Sequence, residues 1–338
     1  MRLQNVITGH YGFWHGPEHG MRDLLKQRIR IVAPRAVQLV KVAKATVASY
    51  GPRKAFEAAD AAVPEWLSPE LLPVLQRRYP MAPPYRYDPE SLWVRARDRR
   101  GQVGRFMDVQ ESRVLELACH DAMVSGILAR DGAQATAIDL SIDHVDPRAV
   151  ACGARVRAAD AEKLPFEDGS FDCVFSYNAF EHFPNPVAVL REAVRVVRPG
   201  GTLFFSFGPL YRSSYGLHAM HAITVPFCQF LWQRAVLEEH IARNGLRRIE
   251  FETLNEWTVG QFRDLWKAWL PWAEPIVCRE IPDVNGMALV REYPGCFRGK
   301  VDRFEDLLIA ILEVGLRRTD KPLAPAESAS REAVTDAA

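Results

Sequence analysis

The chain has almost no net charge to spend on a partner. Its 43 lysines and arginines stand against 42 aspartates and glutamates, so no global field suits it to wrap nucleic acid or to hold an acidic partner. Any electrostatic preference has to be local. Paired cysteines are missing too. Cys119, Cys152, Cys173, Cys228, Cys278 and Cys296 lie far apart, never at the close spacing that a zinc site or a dithiol redox site requires. They read as reduced thiols. No run of about 18 uncharged apolar residues is present to span a bilayer. The opening stretch MRLQNVITGHYGFWHG has no apolar run after its first basic residue, which places the protein in the cytoplasm on this reading. The last shortage is local. In RVLELACHDAMVSGILARDGAQATAIDLS, Arg113 to Ser141, a strand, a tight loop, a helix and a second strand ending on an acid follow one another. Where such a loop is usually rich in glycine it has Ala118, His120 and Ala122.

What is present is ample for a globular protein: 338 residues, 48% of them hydrophobic, can bury a large core. Residues 1–94 read as a helical region and connector. From Met21 to Tyr50 the pattern suits one long helix, or two joined at Pro34. Leu24, Leu25, Ile29, Val32, Val37, Val40 and Val47 form its apolar side; Arg22, Lys26, Arg28, Arg30, Arg35, Lys41 and Lys44 form a basic one. That face, over 22–49, is either a solvated surface of a packed helix or a rest for an anionic membrane or a phosphate-bearing substrate. RRYPMAPPYRYDPE then reads as an extended connector.

From Arg113 onward strands and helices alternate. Strands are expected at Val114 to Ala118, Ala135 to Asp139, Ala154 to Asp160, Phe171 to Ser176 and Thr202 to Phe207, with helices near 122–131 and 186–197, the second stopped by the RPGG sequence. A helix near 258–269 and strands near 275–281 and 310–317 complete the set. The alternation predicts an α/β, Rossmann-like, doubly wound and mainly parallel sheet of seven strands with an antiparallel last strand. Ligands of such sheets bind at the carboxyl ends of the strands, near the switch in strand order. Residues 319–338 have little to bury and read as a disordered tail.

Over residues 95–318, and most clearly Val114 to Phe205, the sequence resembles a class I S-adenosylmethionine-dependent methyltransferase of the type 11 branch. The most specific part is ADAEKLPFEDGSFDCVFSYNAFEHFPNPVAVLREAVRVVRPGGTLFFS, Ala159 to Ser206. The resemblance implies S-adenosyl-L-methionine as cofactor and assigns roles. Glu116 ends the first strand, as the acid that fixes the loop and, directly or through water, the methionine amino group. Asp139, 23 residues later, takes the ribose hydroxyls, with Leu140 beside it; capping the next helix is its structural alternative. Asp160 takes the adenine amino group and the Ala161 amide a ring nitrogen, with Leu164 or Phe166 at the adenine edge. Asn178 touches cofactor or acceptor, and Asp172 is structural. The family places glycine at 118, 120 and 122, where the backbone nears the cofactor and positive φ is open to glycine. Alanine there costs on the order of 1 kcal/mol; the His120 ring has either to point away or to take cofactor space. Asp121 is expected to cap the following helix. Polar groups at Glu116, Asp139, Asp160 and Asn178 together point to a rebuilt cofactor loop rather than a fossil.

GPLYRSSYGLHAMHAITVP resembles an insertion in methyltransferases of bacterial glycan and specialised-metabolite pathways. It puts Tyr211, Ser214, Tyr215 and His218 near the acceptor and makes 209–256 a lid. Attack by a hydroxyl on the sulfonium methyl benefits from a base, for which His182, His218 and His221 are the candidates; ordinary packing roles stay open for each. No cluster has spacing that compels a metal, and none is expected, although distant residues could assemble one. The function expected is O-methylation of a sugar, lipid-linked saccharide or small metabolite. The alternative is a non-catalytic module of the same fold that binds a partner or membrane through its basic helix. A nicotinamide-dependent dehydrogenase is disfavoured, because LPFEDGSFD and NAFEHF have no place in it. Oligomeric state is left open.

Overall fold

The computed structural model describes residues 34–62, 64–80 and 88–323, with 34–41 described by backbone alone. The first described helix is α1 (Pro34–Ala58), with Pro34 at its first described position. The expected helix before it, with Arg22, Lys26, Arg28 and Arg30, lies outside the described residues, as do the side chains of Arg35 and Lys41. The expected connector is helical at both ends: α2 (Leu71–Arg78) takes in its first two arginines, and α3 (Pro89–Val103) begins at its last proline. The Asp88 side chain accepts from the Ser91 amide at 3.0 Å and starts α3.

The remaining elements are β1 (Arg113–Leu117), α4 (Met123–Arg130), β2 (Gln134–Asp139), α5 (Pro147–Ala151), β3 (Arg155–Ala158), β4 (Phe171–Tyr177), α6 (Pro186–Val196), β5 (Val197–Phe207), α7 (Cys228–Leu231), α8 (Arg234–Arg243), a 3-10 turn (Phe251–Thr253), α9 (Val259–Ala268), β6 (Ala273–Pro282), α10 (Met287–Glu292), α11 (Gly295–Arg298), α12 (Phe304–Leu308) and β7 (Ile309–Arg318). They form a seven-stranded sheet in the order β3-β2-β1-β4-β5-β7-β6. Strands β1 to β5 are parallel, and β7 runs antiparallel to both of its neighbours. Strand order switches between β1 and β4, so the loops after these two strands diverge and open a crevice at their carboxyl ends.

Period-two alternation explains why both faces are covered. Leu115 and Leu117 of β1, Val174 of β4 and Leu203, Phe205 and Phe207 of β5 pack with α6 and α9. Val114, Cys173, Phe175 and Phe204 point the other way, towards α3 and α4. A third apolar cluster stands beside the sheet. It joins Phe56 of α1, Leu72 and Leu75 of α2, the buried residues between Leu217 and Leu231, and α10 to α12. Lys300 helps to lock it, donating to the carbonyls of Glu65 and Phe230 at 2.5 and 2.6 Å while its ammonium lies 3.1 Å from the Trp66 ring centre.

Two expectations are corrected. Strand β3 ends at Ala158, so Asp160 lies in the turn beyond it. The helix ends just before RPGG, at Val196, as expected, but the strand expected from Thr202 begins at Val197 and includes all four of those residues. The irregular register opposite Phe171 and Cys173 absorbs them. Asp172 is structural. Burial works to raise its pKa, but hydrogen bonds from Arg113 and Arg198 hold it at about 2. In the stretch read as a tail, Thr319 donates to the Trp272 carbonyl at 2.9 Å and the Trp272 indole donates to the Pro322 carbonyl at 3.1 Å; residues 324–338 lie outside the described residues. No helix among the described residues is long and apolar enough to cross a membrane.

Gly126 sets the approach of α4 to α5, since a Cβ there would sit 2.6 Å from the Ala149 Cα. Gly126→Val is expected to lower the urea midpoint by the equivalent of about 1–3 kcal/mol. Gly101, inside α3 with nothing within 4 Å of a Cβ, is the control: Gly101→Ala should hold or raise stability by up to about 1 kcal/mol.

Candidate functional site

The loop after β1 adopts the conformation that glycines would give it. Ala118, His120 and Ala122 have φ of 51°, 47° and 55°, left-handed values that cost side-chain-bearing residues about 1–2 kcal/mol each. Local bonds over-determine the loop. The Cys119 amide donates to the Ile138 carbonyl at 2.9 Å and the His120 amide to Asp139 Oδ2 at 2.9 Å. The Met123 amide donates to Asp121 Oδ1 at 3.0 Å, although the N-cap position of α4 falls on Ala122 and not on Asp121 as expected. Beneath the loop Glu116 is buried, and its Oε2 accepts from the amide and hydroxyl of Ser125 at 3.1 and 2.6 Å. Burial pushes the Glu116 carboxyl up to about 8 against those two bonds.

A cavity of about 370 Å³ opens above this loop, within the size range of small-molecule sites. Ala118 and His120 line it from β1, Asp139 and Leu140 from β2, and Asp160 and Ala161 from the turn after β3. His182 and Phe183 line it from the segment after β4, and Thr253 from the 209–256 segment. Asp139 and Asp160 each spend one oxygen on a backbone amide, of His120 and of Glu162 at 2.9 and 2.8 Å. Their other oxygens make no hydrogen bond among the described residues. Asp139 therefore ties the loop and does not cap α5, whose cap is Asp146. Among the described residues no lysine or arginine lines the cavity, so this lining is chemically suited to a cationic ligand rather than to a pyrophosphate. His120 keeps its ring at the cavity wall, stacked on His144 with centroids 5.3 Å apart and planes at 15°. Burial, together with His144, lowers the His120 pKa despite Asp121 and Asp139.

Several sequence candidates do not reach the cavity. Glu116 belongs to the opposite face of β1, under α4. Asn178, at φ 50°, turns the chain after β4, and its amide donates to the Ser206 carbonyl at 2.7 Å. His221 is exposed and its Nε2 lies 3.2 Å from the Arg248 carbonyl. Its place among the catalytic candidates is corrected: a short step along the chain from His218 carries it to the outer side of the 209–256 segment.

His182 and His218 do come together, with ring centroids 5.0 Å apart. His182 Nδ1 donates to the Thr253 carbonyl at 2.9 Å, so this bond leaves Nε2 as the lone-pair nitrogen; Nε2 is buried without a partner. Burial lowers the His182 pKa to about 4 and that of His218 to about 3. Glu181 is the third member. Its Oε1 accepts from the Gly208 amide at 3.0 Å, its Oε2 is buried without a partner, and burial pushes the carboxyl up to about 8. Ligand-capable atoms of Glu181, His182 and His218 lie within 4.8 Å of one another. Distant segments thus assemble a group that sequence spacing did not reveal.

Sequence reading also missed Asn255. Its side chain donates to the carbonyls of Phe180 and Phe183 at 2.6 and 3.0 Å, and its amide donates to the Glu181 carbonyl at 2.9 Å. The segment after β4 is clamped by the end of the 209–256 stretch. Only the polar pair Asn255 and Glu256 between Leu254 and Trp257 hinted at this.

Residues 115–205 match the family model described as a methyltransferase domain. The chain carries a methyltransferase domain of type 11. S-adenosylmethionine is the cofactor of this class I family. A ubiquinone biosynthesis O-methyltransferase of Xanthomonas oryzae pv. oryzae is 36% identical over 114 residues, 32% of this chain and 48% of that protein. Its counterpart from Xanthomonas axonopodis pv. citri is 39% identical over 110 residues, 31% and 46% of the two chains. The chain thus spans about half the length of the curated relatives it matches. Among solved structures, the PH0226 protein of Pyrococcus horikoshii is 18% identical, with 72% of this chain and 99% of that one covered, at a TM-score of 0.43. Phosphoethanolamine N-methyltransferase 2 of Haemonchus contortus, in complex with S-adenosyl-L-methionine, is 12% identical, with 66% and 53% covered, at 0.44.

The buried Glu116 of this methyltransferase domain gives a pH test. Its folded pKa lies above the unfolded value, so the folded state binds the extra proton between about 4.5 and 8, and stability falls as pH rises through that window. Glu116→Gln removes the titration. Its stability relative to wild type, followed by urea unfolding without cofactor, is expected to increase steadily across the window. A difference that does not change with pH would contradict the burial argument.

Proposed function

We propose that the protein is an S-adenosylmethionine-dependent O-methyltransferase acting on a hydroxylated small molecule, a sugar, a lipid-linked saccharide or another small metabolite. The observation that carries this is the pair of carboxylates at the ends of β2 and β3, each with an unspent oxygen at an otherwise largely apolar cavity. The residues present fit the cofactor. Asp139 would accept its ribose hydroxyls, Asp160 its adenine amino group, and the Ala161 amide a ring nitrogen, with Leu140 and Ala118 as apolar walls. Two carboxylates also favour a ligand that carries positive charge. Glu116 would act beneath the loop, by holding it in place, and Asn178 by turning the chain after β4.

When bound, the cofactor supplies an electrophilic methyl on a sulfonium. This chain's part is to hold an acceptor in line and keep water out, the kind of positioning that is worth many orders of magnitude in effective concentration. Of the three candidate histidines, His182 is the one that lines the cavity, and the fixed tautomer makes Nε2 the nitrogen with a lone pair for the acceptor side. The domain unit proposed is 95–318, with 209–256 covering the acceptor side; Thr253 at the cavity wall supports that reading. The names of the Xanthomonas relatives support oxygen as the acceptor atom. Their matched segment is largely the cofactor-binding part, so the acceptor class rests on the resemblance of the 209–256 segment. The proposed location is the cytoplasm.

Calorimetric titration with S-adenosylmethionine and with its demethylated product S-adenosylhomocysteine tests the reading. Binding should be clear for wild type and weakened about 10–100-fold in Asp139→Ala, the worth of a lost charge-assisted hydrogen bond, with melting behaviour kept. Equal affinity in the variant contradicts the assignment. His182→Gln should bind cofactor as wild type does and lose turnover once an acceptor is identified.

We further propose a peripheral membrane contact through the basic helix at 22–49, suited to a lipid-linked acceptor. Val47 and Tyr50 of α1 are 79% and 62% exposed, beside exposed Lys44, and support it. Val47→Asp with Tyr50→Asp should abolish co-sedimentation with anionic vesicles. Unchanged co-sedimentation, or none by wild type, removes the contact.

A further inference from the structure

We propose that Glu181, His182 and His218 bind one divalent transition-metal ion at the inner end of the cofactor cavity. Two buried polar atoms without a hydrogen-bond partner among the described residues, Glu181 Oε2 and His182 Nε2, occur on adjacent residues, and burial of such atoms is costly unless something joins them. They are not bonded to each other, yet a carboxylate oxygen of Glu181 and one ring nitrogen each of His182 and His218 all lie within 4.8 Å of one another. A group gathered to that size can be drawn in around one central ion. The opposite ends of all three side chains are tied to backbone: Glu181 Oε1 accepts from the Gly208 amide, His182 Nδ1 donates to the Thr253 carbonyl, and His218 Nε2 donates to the Pro209 carbonyl at 2.9 Å. Outer bonds of this kind fix the tautomer and aim the remaining atom, which is how metal-ligating histidines are commonly held. His218 also keeps a left-handed φ of 56°, a conformation paid for by neighbouring structure when it positions a side chain.

The ligand set selects the ion. Two imidazole nitrogens and one carboxylate suit zinc, cobalt, iron(II) or manganese rather than magnesium or calcium, which prefer all-oxygen shells. Three protein ligands leave a coordination position open. Because His182 also lines the cavity, that position faces the acceptor side; with its Nε2 lone pair on the ion His182 would no longer serve as the base, and the ion would instead polarise an acceptor hydroxyl. This use of the ion rests on the methyltransferase reading; its binding does not. The site needs both the segment after β4 and the 209–256 insertion, and neither Asp139 nor Asp160 belongs to it.

The test titrates chelator-treated, full-length protein with cobalt(II), following its ligand-field absorption, with zinc as competitor. One equivalent should bind, zinc should displace it and excess magnesium should not. Glu181→Gln and His218→Gln should each weaken cobalt binding by at least about tenfold, while His240→Gln binds as wild type does. No stoichiometric uptake by wild type, or uptake unchanged in both variants, overturns the proposal, the gap then being filled by water. If a variant fails to fold, the wild-type stoichiometry and the zinc competition still decide. A parallel titration with S-adenosylmethionine on metal-free protein separates the two readings. Metal uptake without cofactor binding would sink the methyltransferase reading alone; cofactor binding without metal uptake would sink this site alone.

Discussion

One carboxylate ties the loop and the cavity wall after β1 and β2 together. Asp139 ends β2 and accepts the amide of His120, which fastens the strained loop after β1 to the neighbouring strand. Without that bond, three residues with side chains in left-handed conformations would have little to hold them, since each such residue prefers the ordinary basins by more than thermal energy. The bond also fixes the direction of the Asp139 carboxylate, and so of the oxygen left for a ligand. Glu116 does the same from below, through Ser125 at the start of α4.

The second constraint comes from outside the sheet. The segment after β4 carries Glu181 and His182 and has no regular structure of its own. Asn255 and Thr253 hold it through bonds to its backbone and to the His182 ring. Those two residues end a stretch whose earlier part is buried with α1, α2 and α10 to α12. The third apolar cluster therefore does more than cover surface. It positions the cavity wall that carries His182 and Thr253, and it brings His218 against His182.

Much of the sheet was legible because β-strands covered on both faces write themselves as short apolar runs, and because strand ends carry the polar residues. VLEL, ATAID and FDCVFSY fall where the strands lie. Boundaries were less legible where helix passes directly into strand, as at RPGG, since Pro and Gly ordinarily mark a break and here the sheet pairing overrides them. Ala118, His120 and Ala122 were legible as positions needing positive φ, though not as residues able to bear it. That ability comes from partners elsewhere in the chain. Asn178 and His221 illustrate the limit. Each is polar and close to the motif in sequence, but a backbone turn takes each away from the cavity.

By itself the sequence determined the parallel sheet, the ends of its strands and the identity of the acids Asp139 and Asp160, because periodicity and motif spacing are local properties. Only the tertiary structure decided that a glycine-poor loop could close, that Glu116 would lie under a helix rather than in the cavity, and that Glu181, His182 and His218 would meet. The reason is the same in each case. Those outcomes depend on pairs such as His182 with Thr253 or Glu181 with Gly208, which are remote along the chain and become neighbours only when two cores pack beside one sheet.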